Sequence, residues 1–246
     1  MVDITSLLPD LSGALDDVAI GDHYSARVGS PWLRVNFVSS IDGAATVDGK
    51  SGGLGGEADH RVFDILRTLC DVVLVASGTV KAEGYGAMIL DAPSVDARVL
   101  AGLKPQPTFA IVSGSLDLDP SSDVFAKAPV RPLVITTSSA PPNEALGAVA
   151  DVVACGSKTV DPVLMVSKFV ERGLTRIHCE GGPSFFGSLI AADVVDELCL
   201  TVSPLLVGGD SGRIAKGAVP DPRTMSLAGV LRSDDTLLLR YVRAHS

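Results

Sequence analysis

One segment of the sequence combines residue types that could bind an anion. Glu180, Gly181, Gly182, Pro183 and Ser184 follow a short apolar run and precede a stretch of helical period. Glycines let a ligand's phosphate groups approach the backbone, and proline is favoured at the first position of a helix. The free amides and partial positive charge of that helix start would hold an anion. Taken alone, the segment is also typical of a plain tight turn.

Two other apolar runs are followed by residues that could contact a ligand. These residues are Ser40 and Asp42 for the first run, and Thr79 and Glu83 for the second. Ligands bind outside the carboxyl ends of the strands in open α/β sheets, and carboxyl groups placed there can move protons. Each segment by itself is more typical of a turn, a plain one at Asp42-Gly43 and a capped one with a solvated Glu83.

The hydrophobic pattern predicts the elements that would position these residues. The predicted strands are Leu33–Val38, Val72–Ala76, Thr108–Val112, Leu133–Thr136, Val152–Cys155, Thr175–Cys179, Leu198–Val202 and Leu237–Val242. The predicted helices are Ala58–Leu69, Asn143–Ala150, Pro162–Arg172 and Pro183–Ala191. This alternation predicts an α/β fold with a largely parallel sheet, helices on both faces and an antiparallel C-terminal edge. Leu90–Pro107 and Asp117–Pro132 are predicted to be long loops.

Composition narrows the classes of function. The chain has 246 residues, 46% of them apolar, which is enough for one large domain. A net charge of −9 argues against a nucleic-acid partner, because such binding needs a clustered basic face. The sequence has neither an apolar run of membrane-spanning length nor the features of a secretory signal, so we expect a cytoplasmic protein with no membrane partner.

The cysteine and histidine spacing predicts no metal site. The four cysteines are widely spaced, and each lies in or beside an apolar run, so we expect reduced thiols in the core. His178, Cys179 and Glu180 match the first half of a zinc deaminase signature. The Pro-Cys-x-x-Cys half that would supply two further ligands is missing.

Considered together, the motifs indicate a family. Ser-x-Asp-Gly at 40–43, Gly-Thr-Val-x-Ala-acid at 78–83 and Glu-Gly-Gly-Pro-Ser at 180–184 are followed by Val-Asp-Glu-Leu at 195–198. In order and spacing, the chain resembles the reductase domain of riboflavin biosynthesis from about Pro31 to Val242. The resemblance implies a dihydrofolate reductase-like fold, NADPH as cofactor, and reduction of the ribosylamino side chain of a pyrimidine 5′-phosphate. It also implies a homodimer, and a stand-alone reductase domain at 31–246 after an N-terminal arm at 1–30.

The resemblance assigns roles to residues of this chain. For the cofactor it implies contacts from Gly78, Thr79, Val80, Thr137, Ser138, Gly181, Gly182, Pro183, Ser184 and Phe185. For the substrate it implies Asn36, Ser40, Glu180 and Arg61, with Glu83 and Asp42 as catalytic residues. Glu83 is the candidate acid that supports proton delivery while the nicotinamide supplies hydride to an imine carbon. The preference for NADPH over NADH is likewise implied by the family and not by composition.

The chain departs from the family pattern on the substrate side. Asn36 stands where the family usually has lysine, Glu83 where it usually has aspartate, and the Gly-rich segment 51–56 replaces a Ser-x-Trp-Ile-Thr stretch that grips the ribose phosphate. Arg61 or Arg67 could bind the ribose phosphate instead. Two alternatives therefore stay open. One is a reductase of a pterin such as dihydrofolate, in which an acid should face a flat heterocycle and phosphate contacts should be dispensable. The other is a nucleotide-binding regulatory protein without turnover.

Overall fold

The computed structural model describes residues 2–25, 31–217 and 221–244. Within these ranges the chain forms ten β-strands and eight α-helices. The strands are β1 Thr5–Leu8, β2 Trp32–Ser40, β3 Val72–Ala76, β4 Thr108–Val112, β5 Leu133–Thr136, β6 Asp151–Ala154, β7 Arg176–Cys179, β8 Glu197–Ser203, β9 Met225–Ser233 and β10 Thr236–Arg243. The helices are α1 Asp17–His23, α2 Glu57–Thr68, α3 Ser77–Glu83, α4 Ala92–Leu100, α5 Asp123–Ala126, α6 Glu144–Val149, α7 Pro162–Val170 and α8 Pro183–Ala191.

All ten strands belong to one sheet, in the order β1-β9-β10-β8-β2-β7-β3-β4-β5-β6. Every neighbouring pair from β8 to β6 is parallel. The pairs β1·β9, β9·β10 and β10·β8 are antiparallel. The predicted α/β fold with a largely parallel sheet and an antiparallel C-terminal edge is confirmed.

Helices cover both faces of the parallel half of the sheet. On one face α7 and α8 contribute Phe169, Phe185 and Leu189 to a core that also holds side chains of the central strands. On the other face Val62 and Leu66 of α2 pack in a separate core. Strands that are covered on both faces have continuous apolar sequences, and this is why β3 and β4 could be predicted from the sequence.

The predicted elements are all present, with ends that differ by at most two residues. The two predicted long loops were wrong in part, because they contain α4 and α5. Helix α4 has no clear apolar stripe. Asp91 caps its start, because the Asp91 side chain accepts the Ser94 N–H. The helix is held by the buried Arg98, whose guanidinium donates to the carbonyl oxygens of Thr68 and Cys70. Such contacts leave no periodic signal in the sequence.

The segment before Pro31, predicted as an arm, packs on the sheet over residues 2–25. Strand β1 pairs with β9, and Ile4 and Ile20 are fully buried beside Leu66 and Leu238. Residues 26–30 of the predicted arm and the C-terminal two residues of the predicted domain lie outside the described ranges. Within the part of the chain that the structure describes, no helix is both long and apolar enough to cross a bilayer.

Candidate active site

A cleft of about 390 Å³ opens toward the carboxyl ends of the central parallel strands. Its wall combines residues of β2, one face of α2, α3, and the segment that leads from β7 into α8. The lining includes Asn36, Phe37, Thr46, Ser51, Asp59, His60, Phe63, Arg67, Thr79, Glu83, Tyr85, Glu180, Gly182 and Pro183. Six predicted site residues therefore meet in one cavity: Asn36, Thr79, Glu83, Glu180, Gly182 and Pro183.

The glycine pair forms one wall of this cleft. Gly181 has a φ of +98°, and a Cβ there would lie 3.1 Å from the Phe37 ring. Gly182 precedes α8 and makes no side-chain cap, while a Cβ on it would collide with the Thr79 hydroxyl. The space therefore exists only because both side chains are absent. Helix α8 begins with Pro183, which lines the cleft, and its start has no capping side chain, an arrangement that suits an anion.

The remaining predicted cofactor residues lie around that wall or farther along the sheet. Val80 and Phe185 are buried in the cores, whereas Ser184 is exposed in the first turn of α8. Gly78 lies in the first turn of α3, so Thr79 is inside this helix and does not cap it.

Thr137 and Ser138 follow β5, which lies three strands from β7 and hence about 14 Å away. The Ser138 N–H donates to the carbonyl oxygen of Gly156 at 2.9 Å. Neither residue lines the cleft. Their contacts to the adenosine end of a cofactor stay a prediction.

Glu180 enters the cleft with its charge already compensated. Its two carboxylate oxygens accept from Nε and Nη2 of Arg67 at 2.6 and 2.9 Å, and the Tyr85 hydroxyl donates at 2.9 Å. Arg67 also lies over the Phe63 ring, 4.2 Å from its centre. Burial and the neighbouring Glu180 raise the pKa of Tyr85, while Glu180 raises the pKa of Arg67 against the effect of burial. This pair is a fixed, neutral part of the wall.

Glu83 is less constrained. It is the last residue of α3, it is half-buried, and one carboxylate oxygen accepts the Ser51 N–H at 2.9 Å. Asn36 lies on β2 with its side chain nearly buried in the same cleft. One oxygen of Glu83 thus remains available to a ligand, in reach of the wall that carries the glycine pair.

Three of the predicted catalytic and substrate residues, Ser40, Asp42 and Arg61, do not line the cleft. Asp42 is exposed and ties down the segment after β8, because it accepts from the amides of Val207 and Gly208 at 3.2 and 2.7 Å. The Ser40 hydroxyl also donates to it, and together these donors lower the pKa of Asp42 to about 2. Arg61 pairs with Asp17 at 2.7 Å and donates to backbone carbonyls of the N-terminal segment, so in this structure it holds that segment on α2.

Asp59 lines the cleft, although the sequence analysis did not single it out. It is the third residue of α2 and is 9% exposed. Burial raises the pKa of Asp59, and a hydrogen bond from the Thr201 hydroxyl and the charge of His60 oppose this. Asp59 precedes Val62 by three residues, so it lies on the apolar face of α2. A carboxylate on an apolar helix face is the feature of the sequence that could have identified it.

No group of three or more His, Cys, Asp or Glu side chains among the described residues is arranged to hold a metal ion. His178 is buried on β7, 3.6 Å from Glu180, and burial lowers its pKa. All four cysteines are buried and free, as predicted.

Comparison with known proteins adds a family to this geometry. Residues 31–239 match the family model of the RibD C-terminal domain. The chain is 28% identical over 191 residues to the 2,5-diamino-6-ribosylamino-4(3H)-pyrimidinone 5′-phosphate reductase of Archaeoglobus fulgidus, which covers 76% of this chain and 87% of the relative.

Solved structures give the same result for the fold. A pyrimidine reductase-like protein from Corynebacterium diphtheriae has a TM-score of 0.78 at 26% identity, covering 88% of this chain and 93% of that one. A diaminohydroxyphosphoribosylaminopyrimidine deaminase/5-amino-6-(5-phosphoribosylamino)uracil reductase from Thermotoga maritima has a TM-score of 0.65 at 17% identity, covering 87% and 57%. The predicted dihydrofolate reductase-like fold is confirmed.

Proposed function

The chain belongs to the family of the RibD C-terminal domain, and we propose that it is an NADPH-dependent reductase of a pyrimidine ribosylamino 5′-phosphate in riboflavin biosynthesis. The observation that carries the proposal is a single cleft with a side-chain-free helix start on one wall and an available carboxyl group, Glu83, on another. The relatives named as reductases of this pathway support the reaction class.

The residues present fit a nicotinamide dinucleotide. The first turn of α8 would hold the diphosphate, with Gly182 leaving the path open and Thr79 lining the opposite side. A Cβ at Gly182 would meet the Thr79 hydroxyl across this path. When bound, the cofactor supplies the hydride.

Glu83 would donate the proton in this reaction. The Ser51 N–H holds one of its carboxylate oxygens, and the side chain lines the cleft. A carboxyl group so held can pass a proton, directly or through water, to the nitrogen of an opening ribosylamine. Asn36 would orient the substrate by hydrogen bonding, and the neutral pair of Glu180 and Arg67 would close the cleft floor.

A direct assay tests the proposal. Purified protein would be mixed with NADPH and the 2,5-diamino-6-ribosylamino-pyrimidinone 5′-phosphate, and loss of NADPH absorbance would be followed. We expect oxidation that depends on both protein and pyrimidine, and faster oxidation of NADPH than of NADH. Absence of oxidation with this pyrimidine and with its uracil counterpart would contradict the proposed reaction.

One observation favours a second candidate, a pterin reductase. Arg67 is the one lysine or arginine among the described residues that line the cleft, and Glu180 already pairs with it. A phosphate group would thus find no free guanidinium or ammonium group there, while Asp59 faces the cleft as an acid would face a flat heterocycle. Dihydrofolate in the same assay separates the two candidates. A homodimer and a cytoplasmic location stay predictions of the family resemblance.

A further inference from the structure

Asp59 is a buried carboxyl group that faces the cleft without a cation. Its side chain is 9% exposed, and Thr201 gives it one hydroxyl donor. Among the described residues, no lysine or arginine forms an ion pair with it, in contrast to Glu180 in the same cleft. A carboxylate removed from water is costly unless it gains hydrogen-bond donors. A ligand that fills the cleft is the available source of those donors.

The topology places Asp59 at the end of the cleft remote from the glycine pair. Thr201 lies on β8, beside Val38 of β2, and the glycine pair follows β7 on the other side of β2. Two strand spacings, about 10 Å, therefore separate the Thr201 end from the glycine wall. A pyrimidine carries its reacting ribosylamino group on ring position 6. If that group points away from the Thr201 end, toward the cofactor, the opposite ring edge, at position 3, points to Asp59.

We propose that Asp59 makes the cleft select a 2-amino-pyrimidin-4-one ring over the corresponding uracil. The inference rests on the proposed function. In the 2-amino ring, the amino group and N3–H are adjacent donors, and a carboxylate accepts both in a bidentate pair. In the uracil, a carbonyl oxygen replaces the amino group. That oxygen would face the carboxylate. One hydrogen bond would then be lost, and two acceptor oxygens would lie opposite each other.

The test compares the two pyrimidine phosphates on the wild type and on Asp59→Asn. We expect the wild-type kcat/KM for the diamino-pyrimidinone to exceed that for the uracil by about 100-fold or more, because a site built around a donor rejects the analogue that lacks it. A carboxamide offers one acceptor and one donor, which suits the N3–H and carbonyl edge of uracil. Asp59→Asn should therefore lower kcat/KM for the diamino compound and raise it for the uracil.

Two controls separate selection from other effects. Asp64→Asn removes the same charge from the exposed face of α2 and should leave the preference unchanged. Calorimetric titration of each pyrimidine phosphate without NADPH reports the preference independently of turnover, and NADPH affinity of Asp59→Asn reports its folding. A general acid role for Asp59 alone would reduce both turnover rates equally and leave the binding preference intact, which would overturn the inference.

The outcomes distinguish this inference from the proposed function. Equal kcat/KM for the two pyrimidines, or preference for the uracil, would overturn the selection by Asp59 and leave the reductase assignment standing. Selective binding of the diamino compound without oxidation of NADPH would support the selection and contradict the reductase. If neither pyrimidine binds or is reduced, both fail.

Discussion

Three carboxyl groups line the cleft, and their partners give them different chemistry. Glu180 has a guanidinium and a phenol, Glu83 has one backbone N–H, and Asp59 has one hydroxyl. Both oxygens of Glu180 accept from these donors, whereas only one oxygen of Glu83 accepts a hydrogen bond from the described residues. We therefore propose proton transfer by Glu83 and recognition of ring donors by Asp59.

Glu83→Gln should separate catalysis from binding. The amide keeps the shape of the side chain and can still accept the Ser51 N–H, but it cannot donate and regain a proton. We expect kcat to fall by about 10² to 10⁴, the usual contribution of a general acid, with NADPH affinity unchanged. Steady-state kinetics and a cofactor titration measure the two quantities.

Asp117→Asn is the matched control. Asp117 is exposed and forms an ion pair with Lys81, which lies on α3 like Glu83. Its kcat should equal that of the wild type. Equal turnover by Glu83→Gln and wild type would remove Glu83 from the mechanism.

The sequence predicted that Glu83 and Gly182 lie at the site, because each follows a strand and a motif, and both line the cleft. Asp42 was predicted as catalytic but does not line the cleft, since it binds the amides of Val207 and Gly208, which lie 165 and 166 positions later. Arg61 likewise meets carbonyls more than 40 positions earlier. Hydrogen bonds between distant segments leave no local pattern.

At the level of elements, the junction of β7 and α8 depends on both glycines, but in different ways. Gly181 needs its positive φ, which disfavours any side chain. Gly182 has a φ of −91° and ψ of −174°, which alanine adopts readily, so its side chain is excluded by space alone. Substitution at Gly182 is therefore the cleaner test of the anion cradle.

Gly182→Ala should weaken NADPH binding by about tenfold or more, equivalent to about 1.4 kcal/mol. The added methyl group would narrow the route of the diphosphate to the first turn of α8. Calorimetric titration with NADPH measures the change in Kd.

The methyl group would also meet the Thr79 hydroxyl, so a second pair of proteins is needed. Thr79→Ala removes that hydroxyl. If Gly182→Ala still weakens binding in the Thr79→Ala background, the methyl group obstructs the cofactor itself. Full recovery there would show that the effect passed through Thr79, and the diphosphate would have to be placed elsewhere.

The elements that sequence analysis missed share one property, which is that tertiary contacts define them. Strand β1 has four residues and is completed by pairing with β9, far along the chain. Strand β9 alternates poorly because many of its side chains are exposed or half-buried. By contrast, β3 and β4 are continuous apolar runs buried on both faces, and their bounds matched the prediction.

Across the whole molecule, one buried ion cluster joins the parallel and antiparallel halves. Glu197 at the start of β8 accepts from Arg34 of β2 and Arg240 of β10, each at 2.9 Å, and from Trp32 Nε1 at 2.7 Å. Arg34 also donates to the Tyr24 carbonyl oxygen at the end of α1. Burial alone would raise the pKa of Glu197, but the two guanidinium groups outweigh it and lower that pKa. The cluster therefore contains an ionised carboxylate among charged donors.

Glu197→Gln should destabilise the protein without altering the cleft. Two buried guanidinium groups would lose their counter-charge, and breaking such a pair typically lowers the free energy of unfolding by about 3–5 kcal/mol. Glu197 lies four residues before Thr201 on β8, about 13 Å along the strand, so NADPH affinity of the folded protein should not change. Urea unfolding and cofactor titration give the two values.

The control variant is Glu171→Gln, which breaks the exposed pair with Lys168 and should lower the free energy of unfolding by less than about 1 kcal/mol. If Glu197→Gln lowers the free energy of unfolding by a similarly small amount, packing holds the two halves of the sheet together and the buried charges do not stabilise their contact.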